Sequence, residues 1–176
     1  MQCRLFLKLI LKKYYRLSLR IEIYTDGACS GNPGKGGYGI VMKVPEKNYV
    51  KYFSKGFRRT TNNRMELLAV IVALEKLKSP DNDIHIFTDS KYVSDAINKK
   101  WLLGWIKKDF KNVKNPDLWR RLVPLLKTHN TTFHWIKGHA GHPENEICDQ
   151  LAVKAAQGPT LETDEYFENP DPGGLF

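Results

Sequence analysis

The 176-residue sequence predicts an α/β domain built on a five-stranded mixed sheet, three antiparallel strands followed by two parallel ones, flanked by helices. Three observations lead there. Alternating β-rich runs sit close together in the first third of the chain. The later strands are short and separated by helical stretches, as parallel pairing requires. Acidic residues fall where strands end, at the carboxyl edge where sites collect in α/β proteins.

Residues 21–25 alternate and form the first strand, which runs into Asp26 and Gly27. A loop with Gly31, Asn32, Pro33, Gly34, Gly36 and Gly37 follows. Residues 38–44 and 49–57 are the second and third strands of an antiparallel meander, with a turn at 45–48. Residues 61–77 form a helix: Leu68 and Val72 follow the 3.6-residue period, and Leu67, Ile71 and Leu74 widen the apolar face. Residues 84–88 are a buried strand ending at Asp89. Helices follow over 92–98, 101–110 and 117–127, the last with Pro124 as a local irregularity. Residues 131–136 are the final strand. The loop 138–141 leads to Pro143, a favourable first helical residue, and a helix to about Ala156.

Charge divides the chain. Residues 1–20 carry six basic residues and no acid; residues 157–176 carry five acids and no base. The middle retains 22 basic against 14 acidic residues, which suggests a polyanionic partner. We read 1–20 as a basic, non-essential extension, 21–157 as the domain, and 158–176 as an acidic, flexible tail. Lys8, Lys12 and Lys13 confine the longest apolar run of the extension to Leu9, Ile10 and Leu11, which excludes a membrane span there. Three cysteines without metal-ligand spacing point to a reducing, cytoplasmic setting.

Four acids stand out. Asp26 and Asp89 end strands, Glu66 lies early in the first long helix, and Asp149 lies about one turn into the last. Converging carboxylates repel unless a cation neutralises them, and all-oxygen donors select Mg²⁺ or Mn²⁺ over zinc. Taken singly, each acid is equally a turn cap or a solvent-facing group. Trp101, Trp105 and Trp119 lie among nine basic residues between Lys99 and Lys127. Aromatics so placed can stack on bases or sugars while the cations neutralise phosphates, although core packing explains Trp119 as well.

The residues around the acids carry a resemblance. Thr25-Asp26-Gly27-Ala28-Cys29-Ser30-Gly31-Asn32-Pro33-Gly34, Thr60-Thr61-Asn62-Asn63-Arg64-Met65-Glu66-Leu67 and Thr88-Asp89-Ser90 with Tyr92-Val93 form three blocks. Trp135-Ile136-Lys137-Gly138-His139-Ala140-Gly141-His142-Pro143-Glu144-Asn145-Glu146 with Cys148-Asp149 forms a fourth. In order and content they resemble the type 1 ribonucleases H, bacterial-type members most of all, over residues 21–156. The resemblance implies the ribonuclease H-like fold and cleavage of the RNA strand of RNA–DNA hybrids, leaving 5′-phosphate and 3′-hydroxyl ends. It implies two Mg²⁺ ions, replaceable by Mn²⁺, on Asp26, Glu66, Asp89 and Asp149, with Asp26 bridging both. His139 falls on a mobile-loop histidine that assists proton movement or product release.

For the substrate, the resemblance places Cys29, Asn32 and Asn63 along the RNA 2′-hydroxyls, and Arg59, Thr61 and Asn62 at a DNA-phosphate pocket. Turn and cap chemistry is the plainer account of these polar residues. The Trp101–Trp105–Trp119 segment becomes a hybrid-binding protrusion, shorter than in the best-known bacterial members. Lys91 stands where glutamine is common. A monomer is expected, with a weak docking tip for a replication protein at Leu175 and Phe176. The competing reading is a non-cleaving hybrid-binding module, which would lack a carboxylate; all four are present.

Overall fold

The computed structural model describes residues 19–80 and 82–169. The readings made for residues 1–18 and for the Leu175–Phe176 tip lie outside the described residues. The strands are β1 (Arg20–Gly31), β2 (Gly34–Val44), β3 (Tyr49–Thr60), β4 (Asp83–Thr88) and β5 (Asn130–Trp135). The helices are α1 (Asn62–Glu75), α2 (Lys91–Asn98), α3 (Trp101–Lys107), α4 (Pro116–Thr128), α5 (Pro143–Ala156) and the single turn α6 (Glu165–Glu168). One five-stranded sheet runs in the order β3-β2-β1-β4-β5. The β1–β2 and β2–β3 pairs are antiparallel, and β1–β4 and β4–β5 are parallel, as the sequence predicts.

The glycine-rich stretch is not the expected loop. β1 and β2 continue through it as a tight hairpin that pairs Gly31 with Gly34. Gly31 and Gly34 form the turn, and the glycines flanking it serve close packing of helix on sheet. A Cβ on Gly27 would lie 2.5 Å from the Glu66 amide nitrogen of α1, and one on Gly39 only 2.0 Å from the Cys148 carbonyl oxygen of α5. Neighbouring strand residues point to opposite faces. Gly36 faces Met65 of α1 and Gly37 faces Ala152 of α5, so the two helices sandwich the sheet.

The predicted apolar stripe on α1 is too narrow. Every residue from Arg64 to Ile71 is buried, because β1 and β2 flank the helix on one side and α4 on the other. The helix expected over 101–110 stops at Lys107; Asp109 and Phe110 adopt left-handed conformations, and Phe110 turns into the core. α4 runs on through Pro124, which faces solvent. Among the described residues, no helix is long and apolar enough to cross a membrane.

The tail expected to be flexible from residue 158 is docked, as far as it is described. Glu162 bridges Phe57 in parallel, and its carbonyl accepts the Arg58 amide at 2.9 Å. The reason is Arg64, whose side chain is only 2% exposed. It donates to Asp164 at 2.6 and 2.7 Å and to Asp117 at 2.9 and 2.7 Å. The Thr60 hydroxyl also donates to Asp164, at 2.6 Å. A buried guanidinium needs this many acceptors, so composition alone misjudged the segment.

Removing Asp164 from this clasp leaves the buried cation with Asp117 as its remaining acid and a longer bond to Asn115 Oδ1 at 3.4 Å. Asp164→Ala is expected to cost about 3 kcal/mol, read as a lower midpoint in urea unfolding at unchanged slope. An unchanged midpoint would mean that the tail contributes nothing to stability.

Candidate active site

Thr25 and Thr88 are the last pair of the parallel β1–β4 ladder. The next residue on each chain is an aspartate, so Asp26 and Asp89 emerge side by side. Gly27 lets α1 settle against β1, and that approach brings in Glu66. Carboxylate oxygens of Asp26, Glu66 and Asp89 all lie within 4.8 Å of one another. Asp26 and Glu66 are buried, at 7% and 5% exposure, and Asp89 is half-buried. Asp149, half-buried on α5, is not in this tight triad, but its charge reaches Asp26.

Burial first, and then the charge of Asp89, push the Asp26 carboxyl up to about 7, against the lowering pull of the Gly27 amide, which donates to Oδ1 at 2.7 Å. Burial, then Asp26 and Asp89, raise Glu66 well above the usual carboxylate range. Glu66 Oε1 faces the Asn62 amide at 3.4 Å, while buried Oε2 has no hydrogen-bond partner among the described residues. Such an oxygen costs free energy unless something positive meets it. The donors are all hard oxygens crowded around one point, and they fit a divalent cation.

His139 is exposed, in a left-handed conformation (φ +52°), on the loop between β5 and α5. The loop runs against the acids. A Cβ on the preceding Gly138 would fall 2.6 Å from Asp89 Oδ2.

The RNase H family pattern matches residues 19–157. The chain belongs to the RNase H family. It is 57% identical over 149 residues to a Ribonuclease H of Desulforamulus reducens, covering 82% of this chain and 92% of that one. A Ribonuclease H of Yersinia enterocolitica is 50% identical over 160 residues, covering 88% of this chain and all of that one (100%). Among solved structures, LC9-RNase H1, described as a type 1 RNase H with the type 2 active-site motif, superposes with a TM-score of 0.71 at 30% identity, over 86% of this chain and 80% of that one. LC11-RNase H1, solved in complex with an RNA/DNA hybrid, gives 0.58 at 26% identity, over 78% and 96%. Endonucleolytic cleavage of RNA in RNA–DNA hybrids, dependent on a divalent metal, is thus the activity of this chain.

Two hydrogen bonds join polar candidates beside this RNase H centre. The hairpin tip reaches the start of α1: Asn32 Oδ1 accepts the Asn62 amide at 3.3 Å, and Cys29 Sγ donates to the Thr60 carbonyl at 3.4 Å. Thr61 occupies the helix N-cap in extended conformation without a side-chain cap bond, and Asn63 is exposed. Arg59 is exposed but rests over the Phe167 ring of the docked tail, 5.6 Å from its centroid.

The tryptophans part company. Trp101 is 47% exposed with Lys99 over its ring at 5.2 Å. Trp105 is half-buried, edge-on to Trp119 at 5.1 Å. Trp119 is a correction: it is fully buried (0%), its Nε1 donating to the Tyr92 hydroxyl at 2.8 Å, and it cannot meet a nucleic acid. α4 turns it inward to close the core beneath α2. Arg120 and Arg121 are also committed, to Asp109 and Glu75. Exposed cations around α3 are Lys99, Lys100, Lys107, Lys108, Lys111 and Lys114.

Sequence reasoning passed over two supporting residues. Buried Asn145 donates to Asp89 Oδ2 at 3.3 Å, and Trp135 Nε1 donates to the Asp89 carbonyl at 3.0 Å while Lys91 lies 5.0 Å over its ring. Asn145 was legible: it precedes Asp149 by four residues and so shares its helix face. Trp135 was not, because its contact crosses from β5.

Raised carboxyl pKa values have a defined consequence for the metal-free enzyme. The folded state holds the Asp26 proton between the ordinary aspartate value near 4 and about 7, while the unfolded state releases it. The stabilisation is complete below the ordinary value and is lost as pH rises through 7. Metal-free protein is therefore expected to unfold more easily at pH 8 than at pH 5.5. Asp26→Asn should flatten that dependence, as thermal unfolding in EDTA across this range would show.

Proposed function

We propose that Asp26, Glu66, Asp89 and Asp149 hold two magnesium ions against the scissile phosphate of the RNA strand, with manganese able to substitute. The observation that carries this reading is the unpartnered, buried Glu66 Oε2 among three carboxylates within 4.8 Å. Magnesium held there supplies activation of water for in-line attack and stabilisation of the departing 3′ oxygen, leaving 5′-phosphate and 3′-hydroxyl ends.

The chain's own residues prepare that step. Asp26, reached by the charges of both Asp89 and Asp149, would be a ligand common to the two ions. Asn145 and Trp135 hold Asp89 by its side chain and its carbonyl, which fixes the carboxylate before substrate arrives. His139, on an exposed loop, moves a proton at the leaving oxygen or eases product release. Cys29, Asn32 and Asn63 follow the 2′-hydroxyls, while Arg59, Thr61 and Asn62 hold a DNA phosphate. Trp101 and Trp105, on one face of α3, track the DNA strand with Lys99 and the lysines around them. The enzyme works as a cytoplasmic monomer.

The deciding experiment is cleavage of a labelled RNA–DNA hybrid in Mg²⁺, beside RNA and DNA duplexes, with wild type and Asp26→Asn. Hybrid-only cutting, lost in EDTA and in the variant, is expected. Tight hybrid binding without cutting by wild type would instead favour the binding-module reading. Asn145→Ala is expected to lower metal affinity or activity about 10- to 100-fold at unchanged fold. Trp101→Ala should weaken hybrid binding by about 1–3 kcal/mol, as titration with labelled hybrid would report. Trp119→Ala should instead cost about 3–5 kcal/mol of folding stability through the cavity it leaves.

A further inference from the structure

The outer face of the sheet holds a chain of hydrogen-bonded histidine and carboxylate side chains, away from the catalytic acids. α5 packs on this sheet over β1, β2 and β3. Beyond it, β4 and β5 present Asp83, His85, Phe87 and His134, all partly exposed. His85 Nδ1 and His134 Nε2 face each other at 2.9 Å, and His85 Nε2 lies 3.0 Å from Asp83 Oδ2.

The tautomers follow from this chain of contacts. A carboxylate only accepts, so His85 Nε2 carries the proton and its Nδ1 presents a lone pair. His134 Nε2 then donates to it. Burial first, then His85 and Arg20, lower the His134 pKa, which keeps that ring neutral. An aromatic stack backs His134. Phe87 stacks on His134 at 4.7 Å between centroids, and Tyr24 stacks on Phe87 at 4.7 Å. Glu22 lies across the strand pair from His85, and it engages Arg20 at 3.1 Å, which offsets that cation.

We propose that His85 Nδ1 and His134 Nε2 form a surface site for a borderline first-row divalent ion, zinc above all, with Asp83 orienting His85 and solvent completing the coordination. Zinc–nitrogen bonds of about 2.0–2.1 Å at a tetrahedral angle separate two ligands by about 3.3 Å, so from the present 2.9 Å the nitrogens must part slightly and both rings must turn until their lone pairs meet off the N···N line. His134 shifts its proton from Nε2 to Nδ1, and no net proton need be lost. A carboxylate on the far nitrogen of a ligating imidazole is the usual support for such a ligand. Nitrogen donors distinguish this site from the all-oxygen catalytic group, which takes a hard ion. A bound ion would staple β4 to β5.

The test is calorimetric titration of Zn²⁺ into the full chain with Mg²⁺ in excess, so that the oxygen site is filled. Wild type and Asp26→Asn are expected to bind one zinc saturably. His85→Gln and His134→Gln should lose that binding while still cutting hybrid in Mg²⁺, which shows that they fold. Asp83→Asn should bind about 10- to 100-fold more weakly. Indistinguishable isotherms for wild type and both histidine variants would overturn the proposal, and so would loss of zinc binding in Asp26→Asn.

Discussion

Mutual repulsion among Asp26, Glu66 and Asp89, held within 4.8 Å in a largely dehydrated pocket, is the constraint around which this molecule is organised. Left to themselves the three would move apart or stay protonated, and the raised pKa values of Asp26 and Glu66 record that tension. The parallel β1–β4 register holds the two aspartates side by side, and the bare backbone of Gly27 allows α1 to bring in the glutamate. A divalent cation converts this repulsion into affinity. The stability given up by the apo fold is thus the counterpart of metal binding by the working enzyme.

Holding Glu66 in place requires that α1 itself not yield. Arg64, two residues earlier, ties its first turn to Asp117 at the start of α4 and to Asp164 in the C-terminal segment. That one guanidinium joins three parts of the chain distant in sequence. On the other side Gly39 and Gly56 bring α5 onto the sheet with no intervening side chain. This close seating also carries Asn145 to Asp89. The same device, glycine where backbone meets backbone, therefore serves both helices that flank the clustered acids.

Much of this was legible in one dimension. Strand and helix order, the mixed sheet and the candidate acids follow from periodicity and from motifs whose residues lie within a few positions of one another. Where the reading failed, the deciding contact was remote. Gly27, Gly36 and Gly37 suggested a loop because the helix residues they approach lie at least 29 residues further on (Met65 and Glu66, Ala152). Trp119 shared a basic neighbourhood with Trp101, yet one faces Tyr92 and the other solvent. The acidic tail had a composition typical of flexible ends, and nothing local to it announced Arg64.

By itself, then, the sequence determined the alternation of strands and helices, the three acids that converge and the basic character of the segment around α3. Those properties depend on residue type and short-range spacing, to which backbone geometry responds directly. Tertiary structure alone decided which tryptophan is buried, that residues 158–169 clasp the domain, and that His85 and His134 meet across β4 and β5. Each of these rests on strand register or on the seating of a helix. Register is set by the whole buried face at once, so no local window of the chain contains it.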